Sequence, residues 1–84
     1  MKFQDRPLAT PEAAERKLLE LASAIEADHG RAPVSEISTQ FMAAGGSADE
    51  YAQAVEAAVV HGWLTLHPSG GYLSFTPLGA ALFA

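Results

Sequence analysis

A chain of 84 residues with 49% hydrophobic side chains can bury one modest core, which fits a single small domain without a separate cofactor cavity. It contains no Cys, which excludes disulfide bonds, thiolate zinc sites and a cysteine nucleophile. The net charge is -5, and all five Lys and Arg residues lie in the first 31 positions, so residues 32–84 would repel a polyanion.

The first predicted element after the N-terminus is a helix. Residues 1–10 show no hydrophobic period and are interpreted as an N-terminal arm. Thr10 followed by Pro11 is a typical helix start, because the Thr hydroxyl can accept an amide hydrogen and Pro at the first helical position loses no hydrogen bond. We expect an amphipathic helix over residues 11–28 that ends near Gly30. Its apolar positions are Leu18, Leu21, Ala22 and Ile25.

A second, shorter helix is expected after an extended link at Pro33 and Val34. Ser35 is placed to cap this helix, which covers residues 36–43. Its apolar positions are Ile37, Phe41 and Met42.

The third predicted helix covers residues 48–61. Ser47 and Glu50 form the pattern of a capping box, and Gly62 is a typical stop. Helical spacing predicts a core face made of Tyr51, Ala54, Val55, Ala58 and Val59. The outward face then consists of Asp49, Gln53, Glu56, Ala57 and Val60.

A β-hairpin and a short helix are predicted at the end of the chain. Residues 63–67 and 72–75 are rich in Trp, Leu, Thr, Tyr and Phe and flank a four-residue loop. Thr76 and Pro77 repeat the helix start seen at the N-terminus, so we expect a final helix over residues 78–83. The aromatic residues expected to pack between hairpin and helices are Trp63, Tyr72 and Phe75.

The stretches "HGWLTL" and "GGYLSFTPLG" resemble the end of the third helix and the wing of winged helix domains, in particular those of small bacterial MarR and PadR regulators. Phe75 stands where those regulators usually have Leu. The resemblance implies an α+β, mainly α domain over residues 11–84, with a three-helix core, a two-stranded wing hairpin and a short C-terminal helix. It also implies that residues 48–61 form the recognition helix that would enter the major groove of DNA.

The charges of this helix and hairpin do not suit DNA, because neither contains Lys or Arg. We therefore expect a non-enzymatic regulatory or adaptor module that contacts a partner protein, with a basic surface, through Asp49, Gln53, Glu56, Ala57 and Val60. The alternative is the DNA-binding domain of a transcriptional regulator. In that case Gln53 would contact bases, and the phosphate contacts would come from Arg16, Lys17, Arg31 and a protonated His67.

The C-terminal stretch "LGAALFA" is apolar on nearly every side and too short to be stable alone. It either covers the core or contacts another chain. Helices outside the winged core commonly form the dimer in the regulators that the chain resembles, which implies a homodimer. Its contact residues would be Leu78, Leu82 and Phe83.

Other kinds of site find little support. The three His residues lack a metal-binding spacing, and the Ser residues are explained as caps, turns or strand positions, so we expect neither a metal, a cofactor nor a catalytic site. No apolar run reaches the roughly 20 residues of a membrane span, and the N-terminus lacks the apolar core of a signal peptide. We expect a cytoplasmic protein without a membrane partner.

Overall fold

The computed structural model describes residues 10–83, except for the side chains of Asp28, His29 and Phe83. The helices are α1 (Pro11–His29), α2 (Val34–Ala43), α3 (Ala48–Val60) and α4 (Pro77–Ala80), followed by a 3-10 turn at Ala81–Phe83. The strands are β1 (Ala32–Pro33), β2 (Leu64–Leu66) and β3 (Tyr72–Phe75). The predicted class, α+β and mainly α, is confirmed. The predicted arm lies outside the described residues, apart from Thr10.

Local caps set the start of three helices where the sequence predicts them. Thr10 Oγ1 accepts the backbone N–H of Ala13 at 3.1 Å. Ser47 and Glu50 form the complete capping box, with bonds of 3.1 and 2.9 Å. Thr76 Oγ1 accepts the N–H of Gly79 at 3.0 Å. These bonds satisfy amides that have no partner within the helix, so short-range sequence signals determine these boundaries.

The predicted capping role of Ser35 is wrong. Helix α2 begins two residues earlier than predicted, at Val34, and its N-cap is Pro33, which makes no side-chain capping bond. The N–H of Val34 donates instead to the carbonyl of Gly71 at 2.8 Å, so the hairpin loop satisfies one of the free amides at this helix end. Ser35 lies in the first turn, where its carbonyl accepts the hydroxyl of Thr39 at 2.8 Å.

The sheet has a third strand that the sequence analysis missed. Strand order is β1-β3-β2 and both pairings are antiparallel. Ala32 lies opposite Leu73, and Leu64 lies opposite Phe75. The link at Pro33 and Val34 is thus divided between β1 and α2. Pro33 is tolerated in β1 because an edge strand can lack one ladder donor.

The core lies between α1, α2 and the sheet. Its largest fully buried side chains are Leu18, Ile37, Phe41, Leu64 and Leu73. Helix α3 adds only two fully buried residues, Ala54 and Ala58.

Two predicted core residues are instead exposed, Met42 at 43% and Val59 at 42%. The buried stripe of α3 is narrow because small side chains let α1 pack closely, and Val59 lies beyond its edge. Trp63 and Phe75 pack against the core as expected, whereas half-buried Tyr72 mainly contacts surface side chains. No described helix is both long and apolar enough to cross a membrane.

Candidate functional site

The outward face of α3 is largely where the sequence places it. Asp49, Gln53 and Glu56 are exposed, and Val60 is exposed to 76%. Ala57 is half-buried, because it and Gln53 face the first turn of α1 across a cavity of about 50 Å³. The free surface of α3 therefore combines two carboxylates with a large apolar side chain, and Ala57 contributes little to it.

The residues proposed for phosphate contact lie in two separate regions, on α1 and beside Tyr72 of the hairpin. Lys17 forms an ion pair with Glu20 at 3.6 Å on α1. The guanidinium of Arg31 lies 4.7 Å from the ring centroid of Tyr72, within cation–π range. The ring of His67 contacts the same Tyr72 edge-on at 5.8 Å. The fold thus brings Arg31 and His67 to one aromatic ring on the hairpin, whereas Gln53 faces the start of α1.

A surface groove of about 650 Å³ separates α1 from the segment that follows α3. Its volume lies within the roughly 300–1,000 Å³ of ordinary ligand pockets. The charged side chains that line it are Glu12, Glu15, Arg16 and Glu20. The remaining lining consists of Leu19, His61, Trp63 and Leu82. Sequence reasoning missed this groove because three segments that are far apart along the chain assemble it.

A hydrogen bond joins the two sides of the groove. The Nδ1 atom of His61 lies 2.7 Å from Oε2 of Glu15, and Glu15 is only 7% exposed. The ring of His61 also packs on Trp63, with centroids 4.7 Å apart. His61 is thus an exposed side chain with a specific buried partner, a contact that the sequence analysis did not predict. The one available signal was the position of Glu15 between Ala14 and Leu18, on the buried side of α1.

The C-terminal apolar residues lie on the surface. Leu78 is exposed to 60% and Leu82 to 50%, whereas the side chain of Phe83 lies outside the described residues. Leu78 lies close to Gly62, in the turn that follows α3.

Among the side chains that the structure describes, no three of the metal-binding types His, Asp and Glu come together. No protein-family model, curated protein or solved structure matches this chain.

Proposed function

We propose that this chain is a cytoplasmic winged helix domain that acts as a regulatory or adaptor module. It docks the outward face of α3 on a partner protein with a basic surface. The order of its elements, with a hairpin after three helices and a short strand pairing beside it, supports the winged helix assignment.

The composition of the exposed α3 surface carries the proposal. Asp49 and Glu56 bear negative charge there, and Val60 presents an apolar side chain that is three-quarters exposed. Charged residues around an apolar contact steer a partner of opposite charge, and burial of the apolar group provides affinity. A nucleic-acid surface would meet repulsion at the same residues, because phosphates are also negative.

Affinity capture with the full chain as bait tests this proposal. Val60→Glu places a charge on the apolar end of the docking face, and Met42→Glu places the same charge on an exposed apolar position of α2. We expect mass spectrometry to identify a protein retained by the wild-type chain and by Met42→Glu but lost with Val60→Glu. Retention of every captured protein by both variants would contradict docking through α3.

DNA binding is the second candidate, and one observation favours it. Arg31 comes to the hairpin through the pairing of β1 with β3 and lies over Tyr72 beside His67, so the hairpin has a cation that its own sequence lacks. A phosphate could be held there.

Fluorescence anisotropy with a labelled random duplex at about 50 mM salt distinguishes the two candidates. The adaptor proposal predicts no binding. Binding that weakens steeply with salt and is lost with Arg31→Gln would replace it with the DNA-binding candidate.

A further inference from the structure

We propose that the groove between α1 and Trp63 binds the guanidinium group of an arginine side chain on the partner protein. This inference rests on the proposed function, since it specifies which chemical group of a basic partner the chain recognises and adds a second contact point beside α3.

Charge is the first observation that supports an arginine ligand. The described lining of the groove holds the carboxylates of Glu12, Glu15 and Glu20 against the single guanidinium of Arg16. Even with the Lys17 ammonium paired to Glu20, three carboxylates against two cations leave the groove with a net negative charge, which attracts a cation.

The state of Glu15 is the second observation. Its side chain is more than nine-tenths buried, yet it lines the groove, and only its Oε2 atom is bonded, to His61. Its Oε1 atom accepts no hydrogen bond from any residue that the structure describes. Because this oxygen is not enclosed by the protein, it is reachable from the groove, where a charged donor of a ligand can bond to it.

The aromatic wall favours a guanidinium over an ammonium group. Trp63 and His61 pack together at 4.7 Å between centroids and form one side of the groove. A planar guanidinium can stack on an indole ring while its N–H groups at the edge donate to nearby carboxylates. An ammonium is a more strongly hydrated point charge and gains less from such a wall. Leu19 provides apolar contact for the methylene groups of the same side chain.

The probe is the peptide acetyl-Ala-Arg-Ala-amide, and its isosteric control replaces arginine with citrulline, which keeps the shape but lacks the charge. Trp63 is the only Trp of the chain, so intrinsic fluorescence reports directly on the groove. Amide shifts in a ¹H–¹⁵N NMR titration locate the contact. We expect the arginine peptide to bind with a Kd on the order of 1 mM, as suits one stacked cation and a few charged contacts.

Two substitutions break the ion pair between Lys17 and Glu20 but have different effects on the carboxylates that the groove offers to a ligand. Glu20→Gln removes a groove carboxylate and should weaken peptide binding about threefold. Lys17→Gln also breaks the pair between Lys17 and Glu20, but it frees that carboxylate for the ligand, so binding should be unchanged or stronger. Weaker binding by Glu20→Gln without weaker binding by Lys17→Gln excludes loss of the ion pair and its stability as the cause.

Three outcomes would overturn the inference. The first is no change in fluorescence or amide shifts at a peptide concentration of about 10-fold the expected Kd, where mass action would nearly saturate the site. The others are equal binding of the citrulline peptide and amide shifts confined to the α3 face. Shifts at Asp49 and Glu56 would leave the proposed function intact while rejecting the groove. Binding in the groove together with unaltered partner capture by Val60→Glu would instead reject docking through α3 and retain the arginine site.

Discussion

At the scale of single residues, Glu15 and His61 connect positions that are 46 apart along the chain. The buried carboxylate of Glu15 depends on His61, which is itself about half exposed. Removal of one partner from such a pair leaves a buried polar group without its hydrogen bond, whereas removal of both is much less costly. The contact therefore joins the start of α1 to the end of α3.

We predict that His61→Ala lowers the free energy of unfolding by about 1–2 kcal/mol, since it leaves the Glu15 carboxylate without its donor. Adding Glu15→Met to the same chain should restore most of that loss, because the buried charge is then gone. Urea unfolding of both single variants and the double variant measures the coupling. His67→Ala is the control, since the Nδ1 atom of His67 contacts Ser69 in an exposed turn. Purely additive losses would show that the contact contributes nothing.

Tyr51 presents the opposite case, a buried hydroxyl without a partner. Its ring packs edge-on against Phe41 at 5.5 Å, but its Oη atom bonds to none of the described residues. Desolvation by burial raises the pKa of Tyr51 above its ordinary value of 10.0. The folded state therefore holds this proton more tightly than the unfolded state does, and stability is lost as the pH rises above about 10.

We predict that Tyr51→Phe raises the free energy of unfolding at pH 7 by about 0.5–1 kcal/mol, because it removes an unpaired hydroxyl and keeps the ring contact. The variant should also lose less stability between pH 9 and pH 11, a window set roughly by the ordinary tyrosine pKa. Chemical unfolding at both ends of that window measures the difference, with Tyr72→Phe as the matched control. Lower stability of Tyr51→Phe at pH 7 would mean that the hydroxyl has a partner after all.

At the scale of elements, Gly79 determines how α4 packs on the rest of the chain. A Cβ atom added at Gly79 would clash with the backbone carbonyl of Trp63, which cannot move as a side chain can. The same stretch is fixed by the hydroxyl of Thr76, which donates to the carbonyl of Gly62. The short helix therefore packs backbone to backbone against the turn that follows α3.

We predict that Gly79→Ala destabilises the fold by about 1–3 kcal/mol, the usual cost of overpacking, and moves Leu82 away from the groove. Urea unfolding and the fluorescence of Trp63 report the two effects. Gly71→Ala is the matched control, since a Cβ atom there meets only Ser69 Oγ at an ordinary 3.5 Å. Equal stability of the two variants would show that α4 is not packed in this way.

Elements with local signals were predictable, and those that depend on distant pairing were not. Thr10, Ser47 and Thr76 cap helices through bonds within three residues, so their types and positions suffice. Strand β1 has two residues and exists only through β3, about 40 residues later. No local pattern specifies such a strand.

The candidate sites follow the same rule. Exposure of Asp49 and Val60 follows from helical spacing alone. The groove does not, because residues of α1 meet Trp63 and Leu82 only in the folded chain. Arg31 likewise comes to Tyr72 through a sheet pairing that the sequence does not reveal.

At the scale of the whole molecule, charge and apolar exposure have opposite effects on self-association. Each chain carries a net charge of -5, so two copies repel one another at low ionic strength. Val60, Leu78 and Leu82 nevertheless expose half or more of their surface around the end of α3 and α4. Burial of such side chains between two copies is favourable at about 25 cal/mol per Å² of apolar area.

We predict that the chain forms a homodimer through Leu78 and Leu82 and that the dimer becomes tighter as salt is raised, since screening weakens the repulsion between two negative chains while apolar contact persists. Light scattering at increasing salt should approach twice the 8.8 kDa of one chain. Leu78→Ser should abolish the dimer, whereas Met42→Ser, at an exposed apolar position on α2, should leave it intact. A salt-independent mass of 8.8 kDa would contradict this interface, and dissociation on adding salt would indicate contacts between charged groups instead.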